Sequence, residues 1–207
     1  MTQSPPPHCR PTAAEALALL AEGNRRFASD WSQHPHSGVA RRRATAREGQ
    51  RPYAAILACS DSRCPVELVF DAGVGDLFVV RSAGNVAGPV EAASLEYAAA
   101  HLHAPLLAVL GHSLCGALTA AVSGAAMPGN LEVLEQLLAP AVELAREAAG
   151  EVSDAELTAA AVETNVALTL DRLRDQSRTL KSLEEQDKLR IIGGVYDLES
   201  GLVRWLE

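Results

Sequence analysis

Cysteine is sparse in this chain. Four among 207 residues are too few to staple a protein of this length as a disulfide scaffold. A reducing, cytoplasmic setting is expected, which keeps the thiols free to act as ligands. Positive charge is also short: 18 Lys and Arg stand against 26 Asp and Glu, for a net charge of −8. That balance argues against general nucleic-acid binding. The one basic run, Arg41-Arg42-Arg43 with Arg47, is followed by Glu48 and reads as a solvated helix face or a subunit contact. Long apolar runs are missing as well. No stretch reaches the roughly 18 uncharged apolar residues that a membrane span needs. The Ala-rich segment from Ala92 to Leu110 is interrupted by Glu96, His101, His103 and Pro105. The start, Met1 to Pro11, carries Pro5-Pro6-Pro7 and no apolar core, so it reads as a tail and not as a secretory signal. There are no internal repeats, no low-complexity segments and no second domain boundary.

What is present is 48% apolar residues, enough for one domain with a substantial core. Thr12-Ala13-Ala14-Glu15 is a capping box, and Leu17, Leu20, Asn24 and Phe27 follow at helical spacing. A short basic helix is expected over 39–48, stopped by Gly49. Strands are expected over 53–58, 77–81, 105–110 and 191–198. Between them lie helices over 65–70, 91–102, from His112 to about Val122, and 131–148, the last kinked or broken at Pro140. Ser153-Asp154-Ala155-Glu156 is a second capping box, leading the apolar stripe Val162, Val166, Leu170 and Leu173. Glu199-Ser200-Gly201 turns the chain into a closing hairpin. Strands that alternate with helices and end in a hairpin predict an α/β fold: a largely parallel central sheet with an antiparallel edge strand, flanked by helices.

Two polar clusters share one grammar. Cys59-Ser60-Asp61-Ser62-Arg63 follows the apolar run ending at Ala58, and Gly111-His112-Ser113-Leu114-Cys115-Gly116 follows the run ending at Leu110. In open α/β sheets ligands bind at the carboxyl ends of strands. Two parallel strands ending side by side would bring Cys59, His112 and Cys115 together, with His112 and Cys115 on one face at a helix start. Thiolate and imidazole ligands suit zinc. Three protein ligands leave a fourth position open, the mark of a catalytic site, where bound water becomes a nucleophilic hydroxide. Asp61 would accept a hydrogen bond from that hydroxide, and Arg63 would hold Asp61 ionised in a bidentate pair. Cys9, in the tail, and Cys64, expected to project away from Cys59, receive no role. His34 and His36 read as a polar loop. A cysteine in an apolar strand is often only a small core residue, and an Asp-x-Arg pair is often a surface salt bridge; the two clusters together weigh against both. A metal that merely staples the fold would need Asp61 as a fourth ligand, for which Arg63 competes. A redox thiol protein would need a Cys-x-x-Cys pair, which is absent.

The chain resembles the β-class carbonic anhydrases. The resemblance runs from about Leu17 to Leu206 and is densest in Cys59-Ser60-Asp61-Ser62-Arg63, Gly75-Asp76-Leu77-Phe78-Val79-Val80-Arg81, Ala83-Gly84-Asn85, Ser94-Leu95-Glu96-Tyr97-Ala98 and Gly111-His112-Ser113-Leu114-Cys115-Gly116-Ala117. It implies zinc held by Cys59, His112 and Cys115, with Asp61 and Arg63 as the catalytic pair. The implied reaction is reversible hydration of carbon dioxide to bicarbonate and a proton. Carbon disulfide and carbonyl sulfide are alternative substrates for the same chemistry. The resemblance further implies a homodimer or dimer-based higher oligomer. The chain then divides into a tail over 1–11 and one domain over 12–207, whose N-terminal helices, 12–48, pack on the partner subunit. In the plant-like branch a glutamine reaches a partner's site and hydrogen-bonds substrate, and Gln50 matches it. Phe78 and Tyr97 match aromatic positions that line the apolar pocket. Gly116 matches a glycine whose amide faces substrate oxygen. Cys64-Pro65-Val66 and Ser82 depart from common family residues without touching the implied ligands.

Overall fold

Six consecutive buried residues, Ala54–Cys59, form β1, and seven more, Leu106–His112, form β3. Runs this apolar and this short suit interior strands of a sheet covered on both faces, where neighbouring strands satisfy their backbone. The computed structural model describes residues 10–206. The expected tail, apart from Arg10 and Pro11, lies outside the described residues, as does Cys9. Three further strands, β2 (Leu77–Ser82), β4 (Arg190–Tyr196) and β5 (Val203–Leu206), complete a sheet of order β2-β1-β3-β4-β5. All neighbours are parallel except β4 and β5, which pair antiparallel. The expected α/β architecture, including its antiparallel edge, is therefore observed.

Side chains alternate across the sheet, so residue parity assigns each to a face. Ala54, Ile56, Ala58, Leu106, Ala108 and Leu110 pack on α1 (Ala13–Ala28) and α3 (Val66–Val69) through Leu20, Val66, Val69 and Phe70. Ala55, Leu57, Leu107 and Val109 pack on α4 (Pro89–Glu96), α7 (Asp154–Gln176) and α8 (Arg178–Glu185) through Leu95, Val166, Leu173 and Leu180. A third apolar cluster joins Cys59 and Cys115 to α5 (Gly116–Ser123), α6 (Glu132–Ala149) and α7. Both capping boxes form as expected, at Thr12 and Ser153.

Several boundaries differ from expectation. The helix expected over 91–102 starts at Pro89, whose fixed φ suits a first turn, and its last turn, Tyr97–His101, widens to a π-turn. Pro140 does not break α6, which runs unbroken across it. Helix α8, capped by the Ser177 hydroxyl, was not expected. Helix α2 (Val39–Glu48) forms as predicted but buries none of its residues. The segment before it is pinned through buried Asp71, which accepts Arg26 Nε at 2.6 Å and the backbone N–H groups of Gln33 and His34.

Two strand glycines set how closely α7 approaches the sheet. A Cβ at Gly111 would stand 2.8 Å from Val166 Cγ2, and one at Gly193 would stand 2.7 Å from Val166 Cγ1. Gly193→Ala should therefore force Val166 and α7 outward and lower stability by about 1–3 kcal/mol, the usual cost of overpacking. Urea unfolding measures this; an unchanged midpoint would mean that the core yields at that point.

Candidate metal centre

The parallel pairing of β1 with β3 ends both strands at one edge of the sheet. Cys59 closes β1 and His112 closes β3. The chain then makes a tight turn in which Leu114 takes a left-handed conformation, φ 55°, and Cys115 follows as the N-cap of α5. His112 is therefore the last residue of a strand and does not share a helix face with Cys115, contrary to expectation. The turn brings the two together instead. Ser113 anchors it by donating its N–H to Tyr196 O at 2.9 Å and accepting the Leu198 N–H on its hydroxyl at 2.9 Å.

The ligand atoms of Cys59, His112 and Cys115 all lie within 4.8 Å of one another, and all three residues are buried. His112 Nδ1 is 2.9 Å from Ser113 O, which as an acceptor fixes the Nδ1–H tautomer. That leaves Nε2 as the ring atom available to the centre once its proton is lost, buried and without a hydrogen-bond partner of its own. A buried, orphaned imidazole nitrogen beside two sulfurs is the donor set of a divalent, borderline-soft metal, and the residues fit zinc.

The electrostatics agree. The Cys59 thiol is drawn down to about 4, chiefly by hydrogen bonding with Cys115, aided by His112 and by the N–H groups of Asp61 and Gly84 at 3.4 and 3.3 Å. The Cys115 thiol is pushed up by ionised Cys59 and by burial. Burial pushes the His112 imidazole down, but the thiols of Cys59 and Cys64 outweigh it and raise it to about 10. Cys64, expected to project away from Cys59, packs in a different apolar cluster from it. It belongs to the α1-side cluster, the face onto which parity also directs His112. It is not one of the three convergent ligands.

Asp61 and Arg63 stand at the rim. Arg63 grips both carboxylate oxygens, Nε to Oδ1 at 2.9 Å and Nη2 to Oδ2 at 2.7 Å, and holds Asp61 well below the usual carboxylate range. Asp61 Oδ2 is 3.9 Å from His112 Nε2, so the carboxylate borders the centre. Arg63 Nη2 also donates to Leu114 O at 3.1 Å, tying the rim to the turn that carries Cys115. Arg81, at the end of β2, donates to Cys59 O at 2.9 Å and Asp61 O at 2.6 Å. Sequence reasoning assigned Arg81 no role; its place at the carboxyl end of a strand beside β1 was the available signal.

The remaining expected residues divide. Gly116 opens α5 beside Cys115, and a Cβ there would meet nothing within 4 Å. Phe78 is opposite Ala55, four residues before Cys59, and its ring packs 6.1 Å from that of Tyr97. Gln50 precedes β1, near Gly75. Within one chain Gln50, Phe78 and Tyr97 therefore lie toward the amino ends of β1 and β2, away from the ligands.

Residues 54–203 match a family model described as carbonic anhydrase. The chain belongs to the carbonic anhydrase family. It is 38% identical over 201 residues to carbonic anhydrase 2 of Mycobacterium tuberculosis, covering 94% of this chain and 92% of that relative. Among solved structures, the β-carbonic anhydrase CafA of Aspergillus fumigatus superposes with a TM-score of 0.74 at 30% identity, over 94% of this chain and 90% of that one. A structure of two tetrameric β-carbonic anhydrases from Sordaria macrospora gives 0.70 at 25% identity, over 93% and 96%. The family assignment and the fold are those of the β class. Among the described residues, no helix is long and apolar enough to cross a membrane.

In a carbonic anhydrase whose ligands carry these protons, metal uptake must release them. At pH 8 the metal-free centre holds protons on His112, raised to about 10, and on Cys115, while Cys59, at about 4, has lost its own. Zinc binding should then release about two protons per chain, and apparent affinity should rise about a hundredfold per pH unit between Cys59's and His112's titrations. Calorimetry in buffers of differing ionisation enthalpy measures the count; release of no protons at pH 8 would contradict the ionisation pattern.

Proposed function

We propose that this protein is a zinc-dependent carbonic anhydrase that interconverts carbon dioxide with bicarbonate and a proton. The observation that carries the reading is the convergence of Cys59, His112 and Cys115 within 4.8 Å, with His112 Nε2 orphaned beside the Asp61–Arg63 pair. Cys59, His112 and Cys115 are the ligands. When bound, zinc supplies the Lewis acidity that lets a water molecule give up its proton near neutral pH.

The chain's own groups do the rest. Asp61 accepts a hydrogen bond from the attacking water and orients it toward carbon. Arg63 keeps Asp61 ionised and, by occupying both its oxygens, restrains it from serving as a fourth ligand. The Gly116 N–H, one of the free donors at the start of α5, faces the substrate oxygen as charge develops there. The apolar environment for uncharged carbon dioxide comes from Phe78 and Tyr97, together with Gln50 as a hydrogen-bond donor, contributed across a subunit boundary as in the plant-like branch. That division accounts for their distance from the ligands within one chain. Of the N-terminal helices, 12–48, α2 packs on the partner, which its burying nothing in its own chain supports, while the inner face of α1 packs on its own sheet through Ala16 and Leu20 and leaves only its outer face for the partner. The assembly is a homodimer or a multiple of it, and the three free thiols among the described residues suit a cytoplasmic setting.

The purified chain should carry about one zinc and hydrate carbon dioxide at alkaline pH. Asp61→Asn should keep the metal and lose at least about a hundredfold in kcat, the scale of a positioned proton-transfer group. Metal-replete wild-type protein without hydration activity, in an assay run beside carbon disulfide and carbonyl sulfide, would reject the reading. Shared sites also predict complementation: mixing unfolded Gln50→Ala and Asp61→Asn chains and refolding them together should yield more activity than either alone, because one hybrid site carries neither change. Additive activities would argue that each chain works by itself.

A further inference from the structure

Helix α7 presents an apolar stripe to the core, with Leu157, Ala161, Val162, Val166 and Leu173 all buried. Three polar residues, Thr158, Asn165 and Thr169, are buried with it, and of these Asn165 is the one whose side chain reaches Gly84. Asn165 is 1% exposed in the middle of that stripe. A buried amide is costly unless bonded. Asn165 spends its Nδ2 on a single backbone atom, donating to Gly84 O at 2.8 Å across 81 residues of sequence. Gly84 is itself in contact with the metal centre: its N–H donates to Cys59 Sγ at 3.3 Å.

Gly84 is constrained on every side. It takes a left-handed conformation, φ 66° and ψ 20°, inside the 3-10 turn Ala83–Asn85 that leaves β2. A Cβ there would come within 3.1 Å of Leu138 and 3.5 Å of Ala117. A side chain there would be strained by the backbone and crowded by Leu138, and as glycine the residue offers only its backbone by which the turn can be held. Its carbonyl is the handle, and Asn165 grips it. We propose that Asn165 is a positioning residue for the metal centre: by fixing the Gly84 carbonyl it aims the Gly84 N–H at Cys59 Sγ. A thiolate that accepts this bond donates less charge to the cation it holds, which preserves the cation's acidity. This rests on the metal reading above and extends it from the ligands to the group that orients one of them. Outer-shell partners of this kind typically contribute about 10–100-fold to metal affinity or activity.

A merely structural Asn165 would stabilise the core and leave the sulfur untouched, so the test reads the sulfur. Wild type, Asn165→Leu, Asn165→Ala and the control Val162→Ala, a cavity in the same cluster, are loaded with cobalt. In both Asn165 variants the sulfur-to-cobalt charge-transfer band should move to longer wavelength, since a thiolate that has lost a donor is easier to oxidise. The zinc forms should lose metal to a chromophoric chelator about tenfold more readily, because the turn that faces Cys59 is no longer fixed and the ligand set is less well preorganised. Val162→Ala should lower thermal stability and leave the band in place. Asn165 variants whose band and zinc retention match wild type overturn the proposal, as does a Val162→Ala control that shifts equally. A wild-type chain that takes up no cobalt or zinc overturns the metal reading, and this one with it. A measurement on the unaltered protein covers the case in which the variants do not fold. Loaded with a spin-half cadmium isotope, the Gly84 amide proton should show coupling to the metal through the N–H···S bond; an uncoupled Gly84 proton overturns the proposal.

Discussion

Two thiols and an imidazole buried within 4.8 Å of one another cannot behave as three independent groups. With little water to screen them, the first sulfur to ionise raises the cost for the second and pulls a proton onto the imidazole. The arrangement becomes undemanding only when a cation takes the protons' place. Much of the surrounding structure serves to enforce that proximity. Parallel pairing ends β1 and β3 at one edge. A left-handed Leu114 folds Cys115 back toward His112. Arg63 and Arg81 tie the three loops together through backbone carbonyls at Leu114, Cys59 and Asp61.

Much of this was legible beforehand because it is local. Unbroken apolar runs marked the interior strands, capping boxes marked the starts of α1 and α7, and the closing turn marked the antiparallel edge. The ligands were legible for the same reason. Each follows an apolar run, and parallel topology forces such exits together. Asp61 and Arg63 lie two residues apart, so their pairing needed no tertiary knowledge.

What was not legible depends on contacts between distant segments. Cys64 packs in the α1-side cluster while Cys59 packs in another, and nothing in Cys64-Pro65-Val66 says which face that turn will join. The helix start expected at His112 failed because β3 continues two residues past its apolar run, drawn on by pairing with β4 through Tyr196. Asn165 lies between Val162 and Val166 of the apolar stripe and received no role from the sequence. An amide among aliphatic residues was the available clue, and its partner is 81 residues away. Gln50, Phe78 and Tyr97 could be matched only by resemblance, and a single chain leaves them apart from the ligands.

Glycines 111 and 193 let α7 lie against the sheet closely enough for Val166 to fill the space both leave open. The same helix, one residue earlier, reaches Gly84. On the Gly84 side of the centre, moving the turn means disturbing a 23-residue helix packed on β3 and β4. The turn that faces Cys59 thus takes its position from the same packing that holds the core together.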